Sequence, residues 1–259
     1  MELASGRATA VVDLERGGRL ASLAVDGHEL LVTEDATNDP MRWGCYPMVP
    51  WAGRVAYGRF EWNGKLHQLP VTLGPHAIHG TGYVSRWRQV ADDRIDAELG
   101  DPWPWSGWVE SSFDLDDERF RWTLTVTNLD RGPFPVTAGW HPWFRRLVGE
   151  REAELSFTAG AMLERDDAHI PTGRVVEPTA GPWDDCFADV DQPIRLAWSG
   201  GPALELRSDC SHWVVYTEPE HALCVEPQSA APDAFNRPDC DVVGPSGSFE
   251  RWFEVRWST

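Results

Sequence analysis

The chain has 259 residues and an apolar content of 42%, which is typical of a globular protein that can bury a full core. Its 41 Asp and Glu residues outnumber its 23 Lys and Arg residues, and the resulting net charge of −18 repels phosphate backbones and anionic membranes. We therefore expect no nucleic-acid partner and no membrane partner, and we expect a neutral small molecule as the ligand.

Targeting and redox signals are also absent from the sequence. No apolar run reaches the roughly eighteen residues of a transmembrane helix, and the N-terminus has no secretory signal pattern, so a cytoplasmic location is expected. The five cysteines are widely spaced, form no C-x-x-C pair and are predicted to be reduced; they are Cys45, Cys186, Cys210, Cys224 and Cys240.

Strand signals follow one another along the chain. Strand-like segments flank turns at Gly17 and Gly18, at Asn63 and Gly64, at residues 116–118 and at residues 199–201, and residues 249–258 alternate like a strand. No window has a convincing apolar period near 3.6, and 20 prolines and 23 glycines interrupt the sequence. This pattern predicts an all-β fold with little helix, a large antiparallel β-sandwich that forms a single domain over residues 1–259.

Binding residues are expected on loops that a rigid sheet carries. The densest irregular stretches are residues 38–57, 74–82, 101–107, 177–193 and 226–247. The chain also has 15 tryptophans, whose indole faces suit the apolar C–H face of a sugar. Most of these tryptophans are nevertheless expected in the core or in strands, because large aromatic side chains favour half-buried pleated surfaces.

The sequence lacks the motifs of several common catalysts: a P-loop, a dinucleotide-binding glycine fingerprint, a G-x-S-x-G elbow and an H-E-x-x-H pair. His76 and His79 stand three residues apart and could supply half of a metal site. A strand-loop segment does not place such a pair on one face, however. We therefore expect no metal and no cofactor.

Two residues are candidates for proton transfer. His141, in the segment GWHPWFR, is fixed in an extended backbone by the proline that follows it, and its imidazole can give or take a proton near neutral pH. Glu226 follows the apolar run of residues 222–225 at what is predicted to be the end of a buried strand, where desolvation raises the basicity of a carboxylate. A structural histidine and a surface ion pair are the alternative interpretations.

Three further charged residues stand in segments predicted as loops rich in proline, glycine and tryptophan. Arg54 offers a planar guanidinium, and Asp184 and Asp185 offer acceptors, a combination that suits the vicinal hydroxyls of a pyranose. Each could instead belong to an ion pair that braces a loop, and this second interpretation is favoured for Asp185.

Four segments, taken in order, resemble the aldose 1-epimerase family, also called galactose mutarotases: PWAGRVAYGRFEWNGKLHQL, HAIHGTGYVSRWRQV, NLDRGPFPVTAGWHPWF and VEPQSAAPDAFN. The similarity spans about residues 40 to 240. The third segment matches the family's Gly-x-His-Pro-aromatic-Phe pattern, and the fourth matches a glutamate followed by Phe-Asn. Gly53 stands where many members have asparagine and Trp143 stands where tyrosine is usual, and these departures bear on the substrate rather than on the reaction.

The resemblance implies an isomerase of carbohydrate metabolism that interconverts the α and β anomers of an aldose by opening and closing the ring, with no cofactor. It implies Glu226 as the general base and His141 as the general acid. It also implies that Arg54, His79 and an aspartate bind the sugar. In the family this aspartate usually stands three residues before an aromatic residue, so the resemblance implies Asp184, three before Phe187, with Asp185 as the fallback.

Other functions remain open on the sequence alone. A glycoside hydrolase could use Asp184 and Glu226 as its two carboxylates, and a non-catalytic carbohydrate-binding sandwich would explain the tryptophans without His141. Arg86 and Arg88 could meet a phosphate, although the net charge favours a neutral aldose. A monomer and a homodimer are both compatible with the sequence.

Overall fold

The structure is a computed structural model that describes residues 1–34, 39–238 and 240–258. Residues 38 and 239, which fall within two of the predicted irregular stretches, lie outside the described residues. No helix among the described residues is long and apolar enough to cross a membrane.

The described residues are organised mainly as strands. The first strands are β1 (Glu2–Ser5), β2 (Ala8–Asp13), β3 (Arg19–Val25), β4 (His28–Glu29), β5 (Cys45–Met48), β6 (Arg54–Val55), β7 (Arg59–Trp62), β8 (Lys65–Gln68) and β9 (Ala77–Ile78). The next are β10 (Arg88–Ala91), β11 (Arg94–Leu99), β12 (Gly107–Leu115), β13 (Arg119–Asn128), β14 (Phe134–Val136), β15 (Gly139–Arg145), β16 (Leu147–Val148), β17 (Arg151–Ser156) and β18 (Ala159–Arg165). The last are β19 (Pro171–Val176), β20 (Asp184–Val190), β21 (Ile194–Trp198), β22 (Ala203–Ser208), β23 (His212–Tyr216), β24 (Ala222–Gln228), β25 (Asp241–Val243) and β26 (Ser248–Ser258).

Two large antiparallel sheets contain most of these strands. The first has the order β1-β2-β3-β5-β15-β24-β23-β20-β18-β19, with β4 paired to β3, and the second has the order β10-β11-β12-β13-β26-β22-β21-β17-β16. Three short pairs, β6 with β9, β7 with β8 and β14 with β25, complete the pairings of the described strands. The predicted all-β antiparallel class is confirmed.

The inner faces of the two large sheets meet in one aromatic core. Trp140 on β15 lies 6.3 Å from Trp122 on β13 and 5.9 Å from Phe253 on β26, measured between ring centroids. Trp213 on β23 lies 6.4 Å from the same phenylalanine. All four side chains are buried, so the sheets pack face to face as in a β-sandwich.

The predicted hairpins and the scarcity of helix are confirmed. β2 pairs with β3, β7 with β8, β12 with β13, and β21 with β22, each across the turn that the sequence indicates. Among the described residues, helix is limited to three short 3₁₀ turns: Ala56–Gly58, Gly82–Val84 and Ala234–Asn236.

The prediction that Asp184 and Asp185 lie in a loop is wrong. Both residues open strand β20, where Asp184 pairs with Tyr216 and Asp185 pairs with Val215 of β23. Pro178, Gly181 and Pro182 precede the strand and Pro193 follows it, so local composition overstated the extent of the loop.

The prediction that Glu226 lies at the end of its strand is also wrong. Strand β24 continues through Pro227 to Gln228, so Glu226 lies inside it. Proline removes only one backbone donor, and its neighbours Glu226 and Gln228 keep their partners Val214 and His212 on β23. The carboxylate therefore projects from a sheet rather than from a loop.

Candidate active site

Strand alternation places His141 on the outer face of the first large sheet. Successive side chains of a strand point to opposite faces, and on β15 Trp140 and Phe144 enter the core between the sheets. His141 and Trp143 therefore project from the other face, where Trp143 packs in a separate small cluster. The predicted position of His141, within or just beyond a strand, is confirmed as the middle of β15.

The same alternation brings Glu226 beside His141. On β24, Leu223 and Val225 belong to the core, so Glu226 projects from the outer face. The register that pairs Gly139 with Gln228 and Trp143 with Cys224 sets the two candidates opposite each other on adjacent strands. His141 Nε2 lies 3.1 Å from Glu226 Oε1.

Close approach of β15 and β24 requires a glycine at position 139. A Cβ atom at this position would lie 2.4 Å from the carbonyl oxygen of Pro227 and 2.9 Å from Met48. The first contact is with backbone, which has little room to move. Gly139 therefore permits the strand spacing that sets the separation of His141 and Glu226.

Burial strongly favours the neutral form of Glu226. The carboxyl is 2% exposed, and desolvation raises its pKa well above 4.5, with the nearby charge of Asp184 adding to the shift. Arg54 and a hydrogen bond from Gln228 Nε2 to Glu226 Oε2, at 3.3 Å, act in the opposite direction. The group is thereby made a stronger base than an exposed carboxylate.

Burial also favours the neutral form of His141. Desolvation lowers its pKa to about 3, its own backbone carbonyl opposes the shift, and the charge of Arg19 adds to it. The imidazole is held between two aromatic rings, with Tyr46 at 4.8 Å and Trp143 at 5.2 Å between centroids, and both pairs are stacked. This arrangement fixes the plane of the ring.

His79 forms a third wall of the site. Its backbone has φ of +61°, a left-handed conformation that is costly for a residue with a side chain, and its N–H donates to the Gly53 carbonyl at 3.0 Å. Its ring meets that of His141 edge-on at 5.1 Å. Burial lowers the pKa of His79 well below 6.5, and the neighbouring His141 and Arg54 side chains lower it further.

Arg54 and Asp184 lie together at the rim of the site. Arg54 Nη2 is 3.7 Å from Asp184 Oδ2, and both side chains are partly exposed. His169, from the turn between β18 and β19, brings its Nδ1 to within 3.0 Å of the same carboxylate oxygen. The structure thus brings Arg54 and Asp184 to the His141–Glu226 pair and adds His169.

The other candidates of the sequence lie elsewhere. Asp185 Oδ1 accepts a hydrogen bond from Arg165 Nε at 2.9 Å, as the bracing interpretation expected. His76 Nδ1 accepts a hydrogen bond from the Tyr57 N–H, and its Nε2 contacts the Ala168 carbonyl, so both ring nitrogens already have partners. Arg86 and Arg88 contact other carboxylates, those of Glu15 and Asp96.

A cavity of about 610 Å³ connects these groups with solvent. The residues lining it that the sequence analysis singled out are Gly53, Arg54, His79, His141, Trp143, Asp184 and Glu226. Tyr46, His169 and Gln228 also line it and were missed. Gln228 could have been found, since it stands two residues beyond Glu226 and so shares its face of the strand. Tyr46 and His169 carry no such local signal.

The described residues also include one group with the composition of a metal site. One ligand atom from each of His79, His141 and Glu226 lies within 4.8 Å of the others. All three side chains are part of the cavity wall, where imidazole and carboxyl groups can exchange protons or coordinate a metal ion.

Known proteins resemble this chain in both sequence and fold. The family profile described as aldose 1-epimerase matches residues 1–251. The uncharacterized protein YphB of Escherichia coli K12 is 27% identical over 256 residues, which cover 82% of this chain and 84% of that protein. Galactose mutarotase of Mus musculus is 29% identical over 161 residues, covering 56% of this chain but only 44% of the mouse protein.

A solved structure extends the likeness of fold over the whole chain. A galactose mutarotase-like protein of Clostridium acetobutylicum superposes with a TM-score of 0.88 at 17% identity, covering 100% of this chain and 94% of that one. The match of the family profile to nearly every residue, together with this common fold, leads to one conclusion. The chain belongs to the aldose 1-epimerase family.

Proposed function

We propose that the protein is an aldose 1-epimerase that interconverts the α and β anomers of a neutral sugar. The observation that carries the proposal is the pairing of Glu226 and His141 on adjacent strands, with Oε1 and Nε2 3.1 Å apart, buried at a cavity wide enough for a sugar. Exchange of anomers needs one base and one acid at the same carbon centre, and this pair supplies both.

The buried pair holds one proton, which burial places on Glu226 in the free protein. The reaction begins when that proton passes to His141 Nε2, which leaves Glu226 as a carboxylate and His141 as an imidazolium. Glu226 removes the proton of the C1 hydroxyl, the C1–O5 bond breaks, and His141 protonates O5, which gives the open-chain aldehyde. Rotation about C1–C2 presents the other face of the carbonyl. The C5 hydroxyl then returns its proton to His141 as it attacks C1, and Glu226 returns its proton to the new C1 hydroxyl.

The environment of Glu226 matches this cycle. Desolvation makes the carboxylate a strong base, while Arg54 and Gln228 keep the ionised form accessible when substrate binds. His141 cannot turn away from the ring oxygen, because Tyr46 and Trp143 stack on its two sides. We propose that Arg54, His79 and Asp184 bind the sugar hydroxyls.

The charges around the cavity support a neutral substrate. Four carboxylates line it: those of Asp39, Asp184, Glu218 and Glu226. The two arginines that line it already contact carboxylates, Arg42 at 3.1 Å from Asp39 and Arg54 at 3.7 Å from Asp184. A phosphorylated sugar would therefore meet net negative charge, whereas hydroxyl groups find both donors and acceptors.

We also propose that residues 1–259 act as one domain. The two large sheets share a single core cluster, and the cavity lies on the outer face of one of them, so neither sheet could be removed without exposing that core.

The test is the rate of anomer exchange of freshly dissolved α-D-glucose and α-D-galactose, followed by polarimetry or NMR. We expect the protein to accelerate exchange well above the spontaneous rate. A folded protein that binds these sugars without accelerating exchange would instead be a carbohydrate-binding module. Release of free sugar from an aryl glycoside would indicate a glycoside hydrolase that uses Asp184 and Glu226.

A further inference from the structure

The three side chains at the floor of the cavity form a compact set of metal ligands. His79, His141 and Glu226 are 7%, 5% and 2% exposed, and one donor atom of each lies within 4.8 Å of the other two. All three line the cavity that opens to solvent, so an ion can reach them. We propose that this trio binds a Zn²⁺ ion and that the bound ion blocks the active site.

The donor types select zinc over the common hard cations. Two imidazole nitrogens and one carboxylate oxygen make a ligand set that zinc accepts, with a fourth position left for water on the cavity side. Mg²⁺ prefers oxygen ligands in octahedral geometry, and this trio offers only one carboxylate. The proposal therefore predicts binding of Zn²⁺ and no comparable binding of Mg²⁺.

The separations are close to those that zinc imposes. Donor atoms around a tetrahedral zinc with bonds of about 2.1 Å lie roughly 3.4 Å apart. His141 Nε2 and Glu226 Oε1, at 3.1 Å, already stand near that distance. The other two pairs of the trio, at no more than 4.8 Å, must close by on the order of 1 Å at most, which a small side-chain rotation provides.

The neighbours leave these donors available for an ion. Gln228 Nε2 donates a hydrogen bond to Glu226 Oε2, and the other carboxylate oxygen, Oε1, faces His141. His79 Nδ1 is buried and has no hydrogen bond partner among the described atoms. Arg54 opposes a cation, but its contact with Asp184 offsets that charge.

A bound zinc ion would hold the base and the acid of the proposed reaction in one coordination sphere. Glu226 could then accept no proton from a sugar hydroxyl, and His141 could donate none. Zinc and aldose would compete for the same atoms, so zinc would act as a competitive inhibitor. This inhibition rests on the proposed function, whereas the binding of zinc does not.

The test is isothermal titration calorimetry of the untagged protein with ZnCl₂, after treatment with EDTA and dialysis. The variants are His79→Asn, which keeps a residue that tolerates the left-handed backbone, and Glu226→Gln, which keeps the shape of the side chain. His28→Gln, on β4 and outside the cavity, is the matched control. MgCl₂ is titrated into the wild type in parallel.

We expect one Zn²⁺ per wild-type chain and the same affinity in His28→Gln. Each trio variant should weaken binding at least about tenfold, since even the loss of an outer-shell partner of a metal site typically costs that much. Saturating aldose should weaken the apparent zinc affinity of the wild type. Circular dichroism identifies any variant that fails to fold, in which case the other variant decides the result.

Zinc affinity that is absent in the wild type, or unchanged in the folded trio variants, would overturn the proposal. The proposed function has a separate readout. A protein that binds zinc through the trio but does not exchange anomers would contradict the epimerase assignment alone. A protein that exchanges anomers but binds no zinc would contradict the zinc site alone.

Discussion

Glu226 shows how one residue can serve chemistry at a cost in stability. Its carboxyl is buried beside the negative charge of Asp184, Gln228 donates a hydrogen bond to one of its oxygens, and His141 Nε2 lies 3.1 Å from the other. The fold therefore holds a group whose ionised form it solvates poorly. An apolar or neutral residue would be better tolerated there, and the retention of an ionisable group fits a role as a base.

The first prediction concerns the pH dependence of stability. The pKa of Glu226 is higher in the folded state than its ordinary value of 4.5, so the folded state binds more protons, and its stability falls as pH rises from about 4.5 toward the folded pKa. Glu226→Gln removes this ionisation. At pH 8 the variant should unfold in urea with a free energy higher than that of the wild type by roughly 1–2 kcal/mol.

The advantage of Glu226→Gln should be largely gone at pH 4.5, where the wild-type carboxyl is protonated in the folded state and half protonated in the unfolded state. Glu177→Gln, which changes an exposed carboxylate, is the matched control and should leave the pH profile unchanged. A Glu226→Gln profile parallel to that of the wild type across this range would contradict the proposed environment of the carboxyl.

At the scale of elements, period-two alternation assembles the site. β15 and β24 each send one set of side chains into the core and the other set to the cavity, and the register of the two strands aligns His141 with Glu226. The hairpins and the strand class were predictable from the sequence, because alternation and turn residues are local signals.

The sequence could not predict which strands become neighbours. β5, β15 and β24 come from distant parts of the chain, and only their pairing stacks Tyr46 on His141. Asp184 was assigned to a loop because proline and glycine before β20 dominate the local composition. His169 was missed for a different reason. No local sequence signal shows that the turn between β18 and β19 places this side chain beside Asp184.

The second prediction tests the strand spacing. Gly139→Ala adds a Cβ atom 2.4 Å from the carbonyl oxygen of Pro227, so β15 and β24 must separate. Overpacking of this kind typically costs 1–3 kcal/mol, and we expect about that loss in the free energy of unfolding by urea, with a lower kcat. Gly132→Ala, where an added Cβ atom meets nothing within 4 Å, is the control. Equal free energies of unfolding and equal kcat values in the two variants would contradict a role for Gly139 in the strand spacing.

At the scale of the whole molecule, charge bears on the choice of substrate. The net charge of −18 and the four carboxylates at the cavity act in the same direction. The preference for a neutral substrate could be predicted from composition alone, because the net charge is counted from the sequence without knowledge of the fold. The location of the carboxylates at the cavity could be learned only from the structure.

The third prediction follows from that charge. The kcat/KM for an aldose should exceed that for its 6-phosphate by about 100-fold or more, since juxtaposed like charges cost several kcal/mol. Raising the NaCl concentration from about 0.05 to about 0.5 M should bring the two kcat/KM values closer together, because salt screens the repulsion between the phosphate and the carboxylates. NMR exchange rates for glucose and glucose 6-phosphate measure both effects, and a preference for the phosphate would contradict the neutral-aldose assignment.

The central claim is that Glu226 and His141 move the protons of anomer exchange. Its most direct measurement is the NMR exchange rate of the accepted aldose with wild type, Glu226→Gln, His141→Asn and the control His28→Gln, at equal concentrations of folded protein. We predict that each of the two active-site variants loses about 10²–10⁴ of the enzymatic acceleration and that the control keeps it. Either active-site variant retaining wild-type acceleration would contradict the account.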